Sequence, residues 1–139
     1  MQSFNEWFLE ETYFLSIGTL SVKSNGIIII AVDPDLGEYY KKQFNNVKKY
    51  AGFQIMKPKW GPHVSITREP EQETYSNPAI LAGLDGKPIS FKYSHKINGD
   101  GKHWWLDVHC EEALDIREKL GLSRQPPKPL HVTIGVIVR

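Results

Sequence analysis

A single cysteine, Cys110, stands among 139 residues, so no disulfide can form within the chain, and a reducing compartment suits it. Long apolar runs are missing as well: the longest, Ile27 to Val32, is far too short to span a membrane. The first residues carry Glu6, Glu10 and Glu11 where an export signal would carry basic side chains. Neither membrane insertion nor secretion is expected, and the cytoplasm is the expected compartment. An excess of charge of one sign is also lacking. A formal net charge of +1 argues against a protein that coats duplex DNA, yet leaves room for a small anion in a local basic pocket. There is no Gly-rich phosphate loop or dinucleotide fingerprint, since Gly18, Gly26 and Gly37 are isolated. No elbow motif presents a Ser or Cys nucleophile. The nearest approach to a zinc set is His103, His109 and Cys110, and in a strand His109 and Cys110 face opposite ways. No metal and no cofactor is expected.

What is present is a four-residue pattern that occurs twice: His63-Val64-Ser65-Ile66 and His131-Val132-Thr133-Ile134. Alternate residues of a strand point the same way, so His63 and Ser65 share one face, as do His131 and Thr133. Val64, Ile66, Val132 and Ile134 then point to the opposite, buried face. Alone, either copy reads more readily as a buried strand with a hydrogen-bonded core histidine. Two copies in equivalent places argue for a site with two imidazoles and two hydroxyls.

Hydrophobic residues at 40% and charged residues at 24% are ordinary for a soluble globular protein, and the length suits one domain over residues 1–139. Ser3 with Glu6 reads as a capping box before a short amphipathic helix carrying Phe4, Trp7, Phe8 and Leu9. Ile27 to Val32 reads as a buried central strand. Asp35 with Glu38 reads as a second helix start, with Leu36, Tyr39, Tyr40, Phe44 and Val47 on its apolar face, running up to Gly52. The opposite face carries Lys41, Lys42, Lys48 and Lys49 and reads as solvated. Residues 69–88 read as a long loop. Ile89 to Ile97 and His103 to Cys110 form two strands around Asn98-Gly99-Asp100-Gly101, a strong hairpin signal. A helix over Glu111 to Leu120 has Gly121 just past its end, and Gln125 to Pro129 is an extended connector.

The two halves share one order: strand, helix, Pro-containing connector, motif strand. This suggests a duplicated α/β (α+β) chain, with a first lobe near residues 26–68 and a second near 89–139. Each helix would back its own motif strand, leaving the histidine faces to line a cleft. Parity places Trp105 on that cleft face, with His103 or His109, where its ring could stack on a base or simply cover the sheet edge.

Two histidines suit a phosphodiester. One takes a proton from the attacking oxygen and the other gives one to the leaving oxygen, and an unperturbed pKa of about 6.5 populates both forms. Ser65 and Thr133 can donate to the non-bridging oxygens as charge builds there. Lys57, Lys59, Arg68 and Lys128 are the nearby cations.

Paired His-x-Ser/Thr-aliphatic strands in a duplicated chain resemble the two-histidine (2H) phosphoesterase superfamily, which includes 2′,5′ RNA ligase-like enzymes and cyclic phosphodiesterases. The resemblance covers roughly residues 26 to 139. It implies a bilobal fold, two β-sheets facing a central cleft with helices outside, and metal-independent chemistry with His63, Ser65, His131 and Thr133 at the phosphate. The chain is also similar to small phage-encoded members that degrade cyclic oligonucleotide messengers of bacterial antiviral (CBASS) signalling. That likeness lies in Trp60-Gly61-Pro62-His63, Trp104-Trp105-Leu106, Glu111–Leu122 and Leu130 to Gly135. It implies cleavage of 3′-5′ bonds in cyclic di- or trinucleotides in the host cytoplasm, by a monomer or weak homo-oligomer, with Tyr13, Trp60, Arg68 and Trp105 as further substrate contacts. Two other readings stay open. One is an enzyme acting on 2′,3′-cyclic phosphates or RNA ends; the other is a cyclic-nucleotide sponge without turnover.

Overall fold

The computed structural model describes residues 13–48, 55–56 and 61–137. Seven strands are joined in one antiparallel sheet: β1 (Tyr13–Val22), β2 (Ile28–Ala31), β3 (Ile55–Met56), β4 (His63–Ser65), β5 (Pro88–Gly99), β6 (His103–His109) and β7 (His131–Ile137). Around the sheet the order is β3-β7-β4-β2-β1-β5-β6, and a further β6–β7 pairing closes six of the strands into a barrel-like ring. Among the described residues three helices accompany it: α1 (Pro34–Lys48), a single turn α2 (Leu81–Leu84) and α3 (Glu111–Lys119). The class is therefore mixed α/β, as expected. No described helix is long and apolar enough to cross a membrane.

The strands form one hydrogen-bonded ring in place of two separate sheets. Two contacts cause this. Val64 of β4 pairs with Val132 of β7, joining the two motif strands directly. On the far side β1, a strand the sequence pattern did not single out, bridges β2 (Leu20↔Ile30) and β5 (Gly18↔Ile89). Gly18 is required there, because a Cβ would lie 2.4 Å from the Ile30 side chain and 2.7 Å from the Ala31 carbonyl.

One face of the ring holds the core. Ile28 and Ile30, Val64 and Ile66, Leu106 and Val108, Val132 and Ile134 are buried together with Leu20, Ile89 and Phe91. Alternation along each strand makes this inevitable once one face is covered. The helices supply the cover: Tyr40 and Phe44 from α1, and Ala113 and Ile116 from α3, with Leu120 just past its end, belong to the same cluster. Phe44 packs on Trp104 with ring centroids 4.6 Å apart.

Three local expectations change. Asp33, not Asp35, caps α1: its carboxylate accepts from the Asp35 amide at 2.9 Å, and Pro34 takes the first helical position, where no amide is needed. Tyr39 is 58% exposed and stands edge-on against Tyr40, off the apolar stripe. The loop over 69–88 contains short 3-10 turns at Glu71–Thr74 and Pro78–Ile80 before α2. The expected N-terminal helix, and Val47's part in the α1 stripe, lie outside the described residues and side chains.

Two turns do form where the sequence placed them. In the β5–β6 hairpin the Asp100 carboxylate accepts from the amides of Lys102 and His103, at 2.9 and 2.7 Å. At the end of α3, Gly121 adopts φ +82°, and the Leu122 amide returns to the Arg117 carbonyl at 3.0 Å. Cys110 is buried, and its thiol donates to the Ser90 carbonyl at 3.4 Å. Burial pushes the thiol pKa up, so the group stays protonated.

Leu106 is 0% exposed, whereas Leu15 is 70% exposed. Leu106→Ala is expected to cost about 2–5 kcal/mol in urea unfolding, and Leu15→Ala less than about 0.5 kcal/mol.

Candidate active site

On the face opposite the core, the two motif strands bring their polar side chains together. His63, Ser65, His131 and Thr133 line one cavity of about 480 Å³, along with Arg68, Asp100, His103, Trp105, Asp107, Lys128 and Pro129. Because β4 and β7 run antiparallel about the Val64↔Val132 pair, His63 lies toward Thr133 and Ser65 toward His131. The histidines therefore occupy diagonal corners of a two-by-two array. Diagonal positions on an antiparallel pair stand roughly 7–8 Å apart, which leaves room for a phosphate between two imidazoles.

Each imidazole is held in the same way. His63 Nδ1 lies 2.9 Å from the Gly61 carbonyl, and His131 Nδ1 lies 2.7 Å from the Pro129 carbonyl. A carbonyl can only accept, so each Nδ1 carries the proton and each neutral ring turns its Nε2 lone pair outward. Both anchors come from the residue two before the histidine, and in both cases a proline borders the histidine or supplies the carbonyl. The repeated motif thus reaches back one dipeptide further than its four residues. This is a signal the sequence held in Gly61-Pro62-His63 and Pro129-Leu130-His131.

Burial is the main cause that pulls both imidazoles below their ordinary pKa. The Gly61 and Pro129 carbonyls oppose it, while the Arg68 charge adds to it at both sites. Lys23 lowers His63 further; Lys128 lowers His131, and Asp107 raises it. Arg68 is the cation shared by the two: its guanidinium stands 3.5 Å from His131 Nε2.

Asp107 sits opposite His131 in the β6–β7 pairing, where the corresponding partner of His63 on β2 is Ala31. One wall of the cavity is consequently polar and aromatic and the other small. The Asp107 carboxylate accepts from Trp105 Nε1 at 3.2 Å and from Asn98 Nδ2 at 3.0 Å, which fixes the indole. The Trp105 ring lies 5.9 Å from the His131 ring. With β6 paired on both sides, Trp105 lines the cavity and does not cover a sheet edge. His103 also lines the cavity, its Nδ1 3.6 Å from the Asp100 carboxylate.

Tyr13 is not among the residues lining this cavity. Its hydroxyl meets His109 Nε2 at 3.0 Å, with the rings edge to face. Trp60, Lys57 and Lys59 lie outside the described residues. Asp107, Asp100 and Pro129 are cavity residues that motif reasoning did not select. Alternation from Trp105 along β6 places Asp107 on the cleft face, and the hairpin tip carries Asp100 over it. Among the described residues, no group of three or more His, Cys, Asp or Glu side chains is arranged to hold a metal ion.

No family model, curated protein or solved structure matches this chain. The reading of the site therefore rests on its own geometry.

The lowered histidine pKa values have a consequence for stability. On acidification the unfolded chain binds protons at these histidines near pH ~6.5, before the folded protein does, so stability falls through that range. The urea midpoint is expected to drop between about pH 7.5 and 5.5, and to drop less in the double variant His63→Gln/His131→Gln. An equal drop in both proteins would place the proton uptake elsewhere.

Proposed function

We propose that the cavity cleaves phosphodiesters by two-histidine acid–base catalysis, without a metal, and that its substrates are cyclic di- or trinucleotide messengers cut at 3′-5′ bonds. The observation that carries this reading is the diagonal pair of imidazoles, each anchored through Nδ1 and each beside a hydroxyl of the neighbouring strand.

The reaction follows from that placement. One imidazole accepts the proton of the ribose 2′-hydroxyl as its oxygen attacks phosphorus, and the other imidazolium donates a proton to the leaving 5′ oxygen. Attack and departure lie on opposite sides of phosphorus, so the base and the acid belong at opposite corners. Ser65 and Thr133 occupy the other two corners, where they can donate to the non-bridging oxygens. Arg68 and Lys128 balance the phosphate charge. A base adjoining the scissile phosphate can stack on Trp105, whose ring Asp107 holds in place.

Symmetry supports a duplicated, bilobal origin. Read around the ring, β1-β2-β4 is followed by β7-β6-β5, a palindrome in which β1 answers to β5, β2 to β6 and β4 to β7. In each half a hairpin leads into a helix and then into the motif strand. Ile30↔Val64 and Leu106↔Val132 are equivalent pairs, and so are Ala31↔His63 and Asp107↔His131. The repeat fits the duplication that the resemblance to 2H phosphoesterases implies, with the first half extended back to Tyr13, although the strands close into one ring and do not form two facing sheets. A single buried thiol suits work in the cytoplasm.

The test is turnover of cyclic dinucleotides, cyclic trinucleotides and 2′,3′-cyclic nucleotides by the full chain with chelator present. His63→Ala and His131→Ala should each lower kcat by about 10²–10⁴-fold, and Ser65→Ala or Thr133→Ala by about 10²-fold. Activity that needs added metal, or that survives both histidine substitutions, overturns the mechanism. Tight binding without products would identify a binding module instead. Since the free protein must hold one proton across two histidines whose pKa values are both lowered, kcat/KM should peak on the acid side of about pH 6.5. A peak above neutral pH would contradict that assignment.

A further inference from the structure

Arg117 is 1% exposed and is the largest fully buried side chain among the described residues. It belongs to α3, in the second half of the chain, yet its two Nη atoms find their partners beside the first motif. Nε donates to the Ser123 carbonyl at 2.8 Å. Nη1 donates to the Ile66 carbonyl at 2.8 Å and to Glu71 Oε1 at 3.0 Å, and Nη2 donates to Glu71 Oε2 at 2.7 Å. Removing a guanidinium from water costs several kcal/mol, and well-packed apolar residues often serve stability as well or better. Burial of the Arg117 guanidinium against Glu71 therefore calls for a role other than stability.

The geometry indicates what it achieves. Glu71 Oε1 accepts a second hydrogen bond, from the backbone amide of Arg68 at 3.0 Å. Guanidinium, carboxylate and amide thus form a chain ending at the residue whose side chain reaches His131. Ile66, held through its carbonyl, directly follows the strand that carries His63 and Ser65. Between Ile66 and Arg68, Thr67 is 0% exposed, with its hydroxyl accepting from the Ile28 amide at 3.0 Å. Arg68 is thus held through its own amide and through the two residues before it, and of that turn Arg68 is the residue that lines the cavity.

We propose that Arg117 and Glu71 are positioning residues, a clasp rooted in the core by Arg117 that fixes the Arg68 backbone so that its guanidinium meets a phosphate beside His131. The clasp rests on the reading of this cavity as a phosphate site, and it adds a link between the halves: a helix of the second sets a cation of the first. Holding the Arg68 backbone in advance removes the ordering of that turn from what binding would otherwise cost.

The clasp is tested by a double-mutant cycle in the full chain, read as the dissociation constant for adenosine 2′-monophosphate at fixed ionic strength. Glu71→Gln keeps the size and removes the charge, and it should weaken binding about 10-fold, the low end of what outer-shell supports contribute. Arg68→Ala should weaken binding at least as much. In the Arg68→Ala background, adding Glu71→Gln should change affinity less than about 2-fold, because its route to the ligand has gone. Arg117→Lys, which cannot hold the carboxylate by two parallel bonds, should resemble Glu71→Gln.

An equal loss from Glu71→Gln in both backgrounds would show a general structural role and overturn the proposal. So would an unchanged affinity in Glu71→Gln, or no saturable binding by the wild-type chain. Should Glu71→Gln fail to fold, Glu71→Asp, which retains the charge but shortens the reach to the Arg68 amide, runs the same cycle. Binding that obeys the cycle while no phosphodiester in the panel is turned over would retain the clasp and discard the proposed reaction.

Discussion

The pairing of Val64 with Val132 is the contact on which the rest of this structure depends. Both side chains are 0% exposed, so the pair is locked by burial on one face of the sheet. A slip of one residue in either strand would turn its valine and isoleucine into the cavity and its histidine into the core, which burial forbids. The same pair joins the two motif strands, and the ring closes on its far side through β1. One buried contact thus decides both the continuity of the sheet and the diagonal arrangement of the imidazoles.

Around that contact the protein spends much of its polar chemistry on orientation. Two backbone carbonyls hold the imidazoles, a carboxylate holds Trp105, and the Arg117–Glu71 pair holds the turn that carries Arg68. At Glu71 the Arg117 hydrogen bond is the leading cause that holds the carboxyl below its usual range, ahead of the burial that opposes it. The pair is therefore charged at neutral pH, and Arg68 lines the cavity with its guanidinium 3.5 Å from His131 Nε2. Preorganisation of this kind is what electrostatic stabilisation of a phosphate requires, since dipoles and charges set in advance need not reorganise when the ligand arrives.

Asymmetry is laid over a symmetric frame. The ring is palindromic, yet Ala31 faces His63 where Asp107 faces His131, and the β6 wall carries His103 and Trp105 where β2 carries buried isoleucines. Equivalent strands provide equivalent histidines; unequal neighbours make the two walls different. A ligand that must be read in one direction, with a base on one side of a phosphate, suits such a cavity.

The sequence by itself determined the motif strands, the faces of their side chains, the β5–β6 hairpin and the helix ending at Gly121. Each of these follows from local rules: alternation, turn chemistry and a glycine at positive φ. It also held the carbonyl anchors of the histidines, two residues upstream of each. Only the tertiary structure decided that β1 is a strand, since a segment apolar on both faces with Gly18 in its middle has no clear period until Ile30 and Phe91 pack against it. The single closed ring, the diagonal placement of His63 and His131, Tyr13 lying by His109, and the clasp from Arg117 to Arg68 belong to the same class. All join residues that are distant along the chain, and side-chain contacts at that range are set by packing, which no local pattern encodes.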